Sequence, residues 1–142
     1  FELFVKGIAD ALVEALAPDR APGRVVVLGA PRLARALHER GVDAVTVGPW
    51  SRALRRAAGS AVCACDALPF ADGSVAGAVT VGDGPSLAEA SRIVHPRGTL
   101  AIVSRDPATR VTNDALNAGL LEIEQRSAGR AVIVSGRVLG PL

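Results

Sequence analysis

Side chains that could do chemistry are few and scattered along this sequence. Cys63 and Cys65 lie two residues apart, which places them on one face of a predicted strand. Two thiols without a nearby histidine are an incomplete set of zinc ligands, so we expect both cysteines to be buried, reduced and metal-free. His38 and His95 have no catalytic partner in sequence. Because no Ser-His-Asp spacing, Walker loop or metal-binding helix motif occurs either, we assign no catalytic or metal-binding residue.

One turn has the composition that close approach to a ligand requires. Residues 24–37 are Arg-Val-Val-Val-Leu-Gly-Ala-Pro-Arg-Leu-Ala-Arg-Ala-Leu. The four consecutive apolar residues 25–28 predict a strand that is buried on both faces and ends at Gly29. Pro31 suits the first position of a helix, because its missing N–H costs nothing there. Strand, tight turn and helix in this order predict the opening unit of a nucleotide-type α/β domain, with the ligand at the turn.

Strands and helices alternate along the rest of the chain. An apolar stripe at helical spacing predicts an N-terminal helix over residues 1–17. The predicted strands are 25–28, 44–47, 61–64, 76–81 and 100–104, followed by a hairpin of 121–126 and 131–138. Other helices are predicted after Ser51, after Ser86 and around 112–118, and a turn at 95–98. This alternation predicts a parallel sheet with right-handed crossovers and an antiparallel edge.

Composition limits the kind of protein this can be. The chain has 142 residues, enough for one domain with a real core. Aromatic residues make up only 3%, so the core must consist of Ala, Val, Leu and Ile. The net charge of +2 is too small to indicate that the chain binds a polyanion, and we expect no nucleic-acid partner. No apolar run is long enough to span a bilayer, and the cysteine usage favours a cytoplasmic setting.

Two later segments carry a resemblance to a known family. Residues 65–75 are Cys-Asp-Ala-Leu-Pro-Phe-Ala-Asp-Gly-Ser-Val, and residues 91–100 are Ser-Arg-Ile-Val-His-Pro-Arg-Gly-Thr-Leu. They resemble the Asp-Ala-x-x-Leu-Pro-Phe-x-Asp-x-Ser-Phe-Asp and Arg-Val-Leu-Lys-Pro-Gly-Gly-x-Leu segments of class I S-adenosylmethionine-dependent methyltransferases, in their small-molecule branch. The resemblance covers nearly the whole chain. It implies one α/β domain over 1–142 with its core in 24–142. That domain would be a three-layer sandwich with the Rossmann-like methyltransferase fold, its mostly parallel seven-stranded sheet in the order 3-2-1-4-5-7-6 with an antiparallel last strand.

The resemblance also implies a site for S-adenosylmethionine at the carboxyl ends of the first strands. The family holds this cation with a Gly-x-Gly-x-Gly turn, an acid within strand one and an acid after strand two. Here the turn Gly29-Ala30-Pro31 is two residues shorter, and Val27 and Pro49 stand at the two acid positions. The positions that match the family's cofactor site are Gly29, Ala30, Pro49, Trp50, Asp66, Ala67, Leu68 and Asp83.

Three of these positions have alternative interpretations. Asp66 matches an aspartate that binds the adenine amine in the family, or it caps backbone amides in a loop. Asp83 follows strand four, where some methyltransferases place a catalytic residue, or it belongs to a turn. Trp50 could stack on a ligand, fill the vacated pocket or mark an interface.

These departures favour a degenerate, non-catalytic methyltransferase-like domain without cofactor, in a structural or protein-binding role. The alternatives are an active methyltransferase that uses S-adenosylmethionine on a small molecule, completed by a partner subunit, and a binder of another nucleotide-like ligand. Aromatic residues are favoured at interfaces, and Phe1 and Phe4 are two of the three Phe in the chain. We therefore expect a homodimer or another protein partner, with Phe1, Phe4 and Trp50 as interface candidates.

Overall fold

The computed structural model of the chain describes residues 2–16, 23–48, 61–62, 68–82 and 87–139. Its helices are α1 (Glu2–Leu16), α2 (Pro31–Glu39), α3 (Leu87–Ile93) and α4 (Ala108–Asn117). Its strands are β1 (Val25–Leu28), β2 (Ala44–Gly48), β3 (Ala61–Val62), β4 (Val75–Val81), β5 (Val94–Ser104), β6 (Leu121–Ala128) and β7 (Ala131–Arg137). None of the helices in these ranges has the length and apolarity needed to cross a membrane.

All seven strands form one sheet in the order β3-β2-β1-β4-β5-β7-β6. The pairs β1–β2, β1–β4, β2–β3 and β4–β5 are parallel, and β7 is antiparallel to both β5 and β6. The predicted fold class and strand order are therefore confirmed. The carboxyl ends of β1, β2, β4 and β5 meet at one edge, where ligands of open α/β sheets bind.

Strand β1 separates two apolar cores and is buried on both faces. Val25 and Val27 belong to the core under α1 and α2, together with Ile8, Leu12, Leu33 and Leu37. Val26 and Leu28 belong to the opposite core, under α3 and α4, together with Ala90, Ile93, Val111 and Ala115. Burying a side chain of this size contributes roughly 1.5–3 kcal/mol. Because the sheet has an apolar core and two helices on each of its faces, the fold is the predicted three-layer sandwich.

The turn predicted at residues 95–98 is instead a bulge inside a longer strand. β5 begins at Val94, and its register with β4 shifts so that residues 95–98 lie opposite the single residue Ala76. Arg97 has a left-handed φ of 68°, and its N–H donates to the carbonyl of Val138 at 2.8 Å. The turn-forming residues do bend the chain, but the ladder resumes beyond them and the strand continues.

Other boundaries differ by a few residues from those predicted. Helix α4 begins at Ala108 rather than near residue 112, and β6 runs to Ala128. The hairpin therefore closes with a two-residue turn, whose first residue, Gly129, has a φ of 61°. Two-residue hairpin turns require such a conformation, which glycine adopts without strain.

Strand β6 is the outermost strand of the sheet on its side. Its register with β7 shifts between Leu121 and Glu124, and Glu122 has a left-handed φ of 53°. Two ion pairs of 2.8 Å flank this irregular stretch, one between Arg137 Nε and Glu122 Oε2 and one between Arg126 Nη2 and Glu124 Oε2. The edge is thus bulged and charged rather than flat and apolar.

Replacing the glycine of the β5 bulge tests how tightly the bulge is packed. A Cβ at Gly98 would lie 2.6 Å from the Ala76 carbonyl oxygen, 2.6 Å from Val94 Cγ1 and 2.8 Å from the His95 carbonyl oxygen. We expect Gly98→Ala to lower the free energy of unfolding by roughly 1–3 kcal/mol, measured by urea denaturation.

Gly7 provides the matched control, because a Cβ there meets nothing within 4 Å on helix α1. Gly7→Ala should raise stability by about 0.5–1 kcal/mol through helix propensity. Equal effects of the two substitutions would contradict the packing described for the bulge.

Candidate functional site

A cavity of about 520 Å³ opens at the carboxyl ends of β1, β4 and β5. Its walls are residues 29–33 after β1, residues 81–82 at the end of β4, residues 103–106 at the end of β5, and Ala131. Val5 and Ile8 of α1 close it from the side. Ligand pockets in proteins range over about 300–1,000 Å³, so the cavity has the size and the position of a small-molecule site.

The turn between β1 and α2 forms the base of this cavity. Gly29 has a φ of 75°, and its N–H donates to the Val47 carbonyl at 2.9 Å, so pairing with β2 continues to the turn. Ala30 is the N-cap residue, without a side-chain cap, and Pro31 is the first residue of the helix, as predicted. Only two residues, Gly29 and Ala30, therefore separate strand from helix.

The predicted site residues within the described part divide between two places. Gly29 and Ala30 line the cavity. Leu68 is buried in the core under α3 and α4 and does not line it. Val27 is fully buried under α1 and α2, so an apolar side chain fills the position that the resemblance assigns to an acid.

Several sequence predictions fall outside the described residues. These are Phe1, Pro49, Trp50, Cys63, Cys65, Asp66, Ala67, Asp83 and the side chain of Phe4. Within the described ranges, no group of three or more His, Cys, Asp or Glu side chains is placed to hold a metal ion.

Three charged residues of the cavity were not singled out from sequence. Arg32 follows the β1 turn, and Arg105 and Asp106 follow β5. The Asp106 carboxylate lies 3.9 Å from the Arg110 guanidinium, and the Asp106 N–H donates to Ser104 Oγ at 3.0 Å. The signal that could have found the last two is their position directly after a strand of the parallel sheet, where ligand-binding residues concentrate.

A network around Arg92 holds the loop before β4 against α3. Arg92 Nε donates to Glu89 Oε1 at 2.6 Å and Nη2 to Glu89 Oε2 at 2.9 Å. The same guanidinium donates to the carbonyls of Leu68 and Phe70, at 3.1 and 2.8 Å, and to Asp72 Oδ1 at 2.7 Å. The Leu68 N–H in turn donates to Glu89 Oε2 at 2.8 Å. The Leu-Pro-Phe segment is therefore fixed by one arginine and one glutamate.

This network also lowers the pKa of Glu89. The hydrogen bond from Arg92, and next that from the Leu68 N–H, stabilise the carboxylate and lower the pKa from 4.5 to about 2. The hydrogen bonds to Glu89 and Asp72 raise the pKa of Arg92. Since the carboxylate is favoured in the folded state, its contribution to stability is present above pH 4.5 and is lost as the pH falls toward 2.

Comparison with known proteins identifies the fold. No protein-family model and no curated protein sequence matches the chain significantly. Solved structures do match. One is a chain from the complex between the Haloferax volcanii Trm112 methyltransferase activator and a methyltransferase, 16% identical with a TM-score of 0.80, covering 99% of this chain and 92% of that chain.

Two other neighbours extend this comparison. A SAM-dependent methyltransferase of Thermotoga maritima is 20% identical with a TM-score of 0.72, covering 96% of this chain and 89% of that chain. The [4+2]-cyclase SpnF is 14% identical with a TM-score of 0.73, covering 95% of this chain and 81% of that chain. At such identities the likeness shows the fold, which is the Rossmann-like fold of class I S-adenosylmethionine-dependent methyltransferases.

The Arg92 network predicts how stability depends on pH. We expect Glu89→Gln to unfold at lower urea concentration than wild type at pH 7, because it removes the carboxylate that Arg92 and Leu68 share. We also expect it to lose less stability than wild type between pH 4.5 and about 2, since the titrating group is gone.

Glu39→Gln is the control for this measurement, because the Glu39 carboxylate lies 3.5 Å from Arg35 at an exposed site. This variant should keep the wild-type pH dependence. If Glu89→Gln and wild type lose stability equally over that pH range, the role given to Glu89 is wrong.

Proposed function

We propose that this chain is a methyltransferase-fold domain that no longer uses S-adenosylmethionine and that acts by binding another protein. The observation that carries the proposal is the β1 edge of the cavity. There, Val27 is buried as part of the core and a two-residue turn leads directly into Pro31. The family site needs an acid and a longer glycine turn at this point.

The lost contacts can be given a magnitude. A hydrogen bond to a charged group contributes about 1.5–3 kcal/mol to a binding free energy. The absence of acids at Val27 and Pro49 therefore weakens the binding of S-adenosylmethionine by about 3–6 kcal/mol. This corresponds to roughly a hundredfold to ten-thousandfold in affinity. Pro31 removes a backbone donor from the turn as well.

Two of the structural neighbours support a role other than independent methyl transfer. One neighbour comes from a complex with a protein named as a methyltransferase activator, and another is named as a [4+2]-cyclase. By analogy, a short chain of this fold can depend on a protein partner, and the fold can serve other chemistry. The activator complex also favours a second candidate function, an active methyltransferase that a partner subunit completes.

Calorimetric titration tests the proposed loss of cofactor binding. With the chain alone, we expect S-adenosylmethionine and S-adenosylhomocysteine to bind with a dissociation constant no better than about millimolar. A micromolar dissociation constant would contradict the proposal and favour the active enzyme.

Pro49→Asp and Pro49→Asn test whether the missing acid at position 49 causes the weak binding, because the two side chains differ in one charge. The aspartate variant should bind S-adenosylmethionine about ten- to a hundredfold more tightly than the asparagine variant.

The protein-binding part of the proposal is tested by sedimentation velocity. We expect wild type to sediment as a dimer, and Phe4→Ser and Trp50→Ser, made separately, to reduce association, since aromatic side chains are favoured as interface anchors. Circular dichroism should stay native in both variants. Phe70→Ser is a poor control because Phe70 packs on the core, so Leu116→Ser, at a side chain 58% exposed, is used instead. A wild type that remains monomeric at high concentration contradicts the homodimer.

A further inference from the structure

We infer that the first residues of β6, 121–123, form a flap that opens away from β7 while the rest of the sheet stays folded, and that the side chain of Arg137 holds this flap closed. Such a flap is independent of the proposed protein-binding role and needs neither a partner nor S-adenosylmethionine. It lies at the edge of the sheet opposite to the candidate functional site, where β4 and β5 begin.

The flap borders a groove of about 810 Å³ at the amino ends of β4 and β5. Residues 95–98 of the β5 bulge line one side of the groove, and Leu121 and Glu122 of the flap line the other. Residues 137–139, at and after the end of β7, lie between the two sides, in keeping with the strand order β5-β7-β6. An outward movement of the flap therefore widens this groove.

Backbone strain is concentrated at this groove. Among the described residues, Arg97 and Glu122 are the two non-glycine residues with a left-handed φ, of 68° and 53°. A side chain makes this conformation unfavourable, so it persists only where surrounding contacts hold it. One of the two residues lies in the β5 bulge and the other in the flap, so both depend on contacts made at the groove.

The side chain of Arg137 makes contacts with both strained residues. Its Nε donates to Glu122 Oε2 at 2.8 Å, and its Nη1 donates to the Arg97 carbonyl at 2.9 Å. The guanidinium thus spans the groove from the flap to the bulge. Hydrogen bonds from a charged donor are stronger than those between neutral groups, so this side chain ties the flap to the bulge.

The two sides of the groove differ in what else supports them. The Arg97 N–H donates to the Val138 carbonyl at 2.8 Å, and the Val138 N–H donates to the Gly98 carbonyl at 2.9 Å, so backbone hydrogen bonds fix the bulge. In the flap, the pairing of β6 with β7 skips residues 122 and 123. Loss of the Arg137 contacts should therefore release the flap and leave the bulge in place.

Burial does little to hold the flap in place. None of the eight residues of β6 is buried, whereas five of the seven residues of β7 are. The later part of β6 has two further attachments, because Gln125 Nε2 donates to Thr112 Oγ1 at 2.5 Å and Ala128 packs on the core under α1 and α2. In the flap, Ile123 packs on the opposite core. Segments with few buried side chains open locally at a lower free energy than the whole protein, which favours opening at this end of β6.

Gly136 of β7 lets the flap lie directly on the backbone of that strand. A Cβ at this position would lie 2.9 Å from Leu120 Cβ, 3.0 Å from the Leu121 carbonyl oxygen and 3.4 Å from Ile123 Cγ1. Gly136→Ala should therefore push the flap off β7 while the Arg137 side chain is intact, which gives a second and independent way to open it.

Cleavage by a glutamate-specific protease, with mass spectrometry of the first products, measures the opening. The chain has six glutamates, of which Glu122 lies in the flap and Glu89 in α3. In wild type, we expect cleavage after Glu122 to be faster than cleavage after Glu89 and to depend less steeply on urea, because local opening exposes little surface. Equal rates and equal urea dependence at the two sites would mean that only the whole domain unfolds, and would overturn the flap.

Variants test what holds the flap closed. Arg137→Gln should raise the rate of cleavage after Glu122 about three- to tenfold, since an exposed ion pair and a hydrogen bond from a charged donor are both weakened. Proteolysis tracks the population of the open state when opening and closing are fast relative to cleavage. Gly136→Ala should change the rate in the same direction. Circular dichroism should stay native in both variants.

Arg126→Gln is the matched control, because the Arg126 guanidinium pairs with Glu124 of the same strand, at 2.8 Å, and this ion pair does not join β6 to β7. It should leave the rate of cleavage after Glu122 unchanged. If Arg126→Gln accelerates this cleavage as much as Arg137→Gln does, or if Arg137→Gln has no effect, the role assigned to Arg137 is wrong. None of these outcomes depends on S-adenosylmethionine or on a partner, so failure of the flap would leave the proposed function standing.

Discussion

The structure depends on the burial of β1 on both of its faces. Its side chains, Val25 to Leu28, are no more than 1% exposed, and the strand pairs with β2 on one side and β4 on the other. A carboxylate at position 27 would be buried beneath two helices and would cost several kcal/mol unless a partner or ligand compensated it. The apolar core under α1 and α2 therefore favours a valine over an acid at this position.

Helix α1 connects that core to the cavity. Its inner residues Leu12 and Leu16 are buried against the sheet, while Ile8 reaches the cavity wall. The helix is also joined to α2 by the Asp10–Arg40 ion pair, 2.7 Å between Oδ1 and Nε, and Arg40 Nη1 donates to the Ala36 carbonyl at 2.9 Å. The side wall of the cavity and the helix that begins at its base are thus held in one arrangement.

The β1–α2 turn could be predicted from sequence because it rests on local signals, the apolar run that Gly29 ends and the proline at the helix start. The strand order could be predicted because two segments resemble those of a known family. The bulge at 95–98 could not be predicted from sequence, because turn-forming residues do not reveal that the pairing of β5 with β4 resumes after them. The cavity could not either, because Val5 and Arg105 are separated by most of the chain and meet only in the fold. The roles of Pro49, Trp50, Asp66 and Asp83 stay predictions.

The bulged, charged edge at β6 has a consequence for how copies of this protein meet in concentrated solution. An outer strand offers unpaired N–H and C=O groups, onto which another chain can add and begin fibrillar growth. Here the left-handed Glu122 interrupts the strand, and the ion pairs of Glu122 and Glu124 hold carboxylates along it. A second strand would have to bury those charges and match an irregular register. On the β6 side, the Val-rich interior of the sheet is therefore protected from strand addition by a few charged residues at its edge.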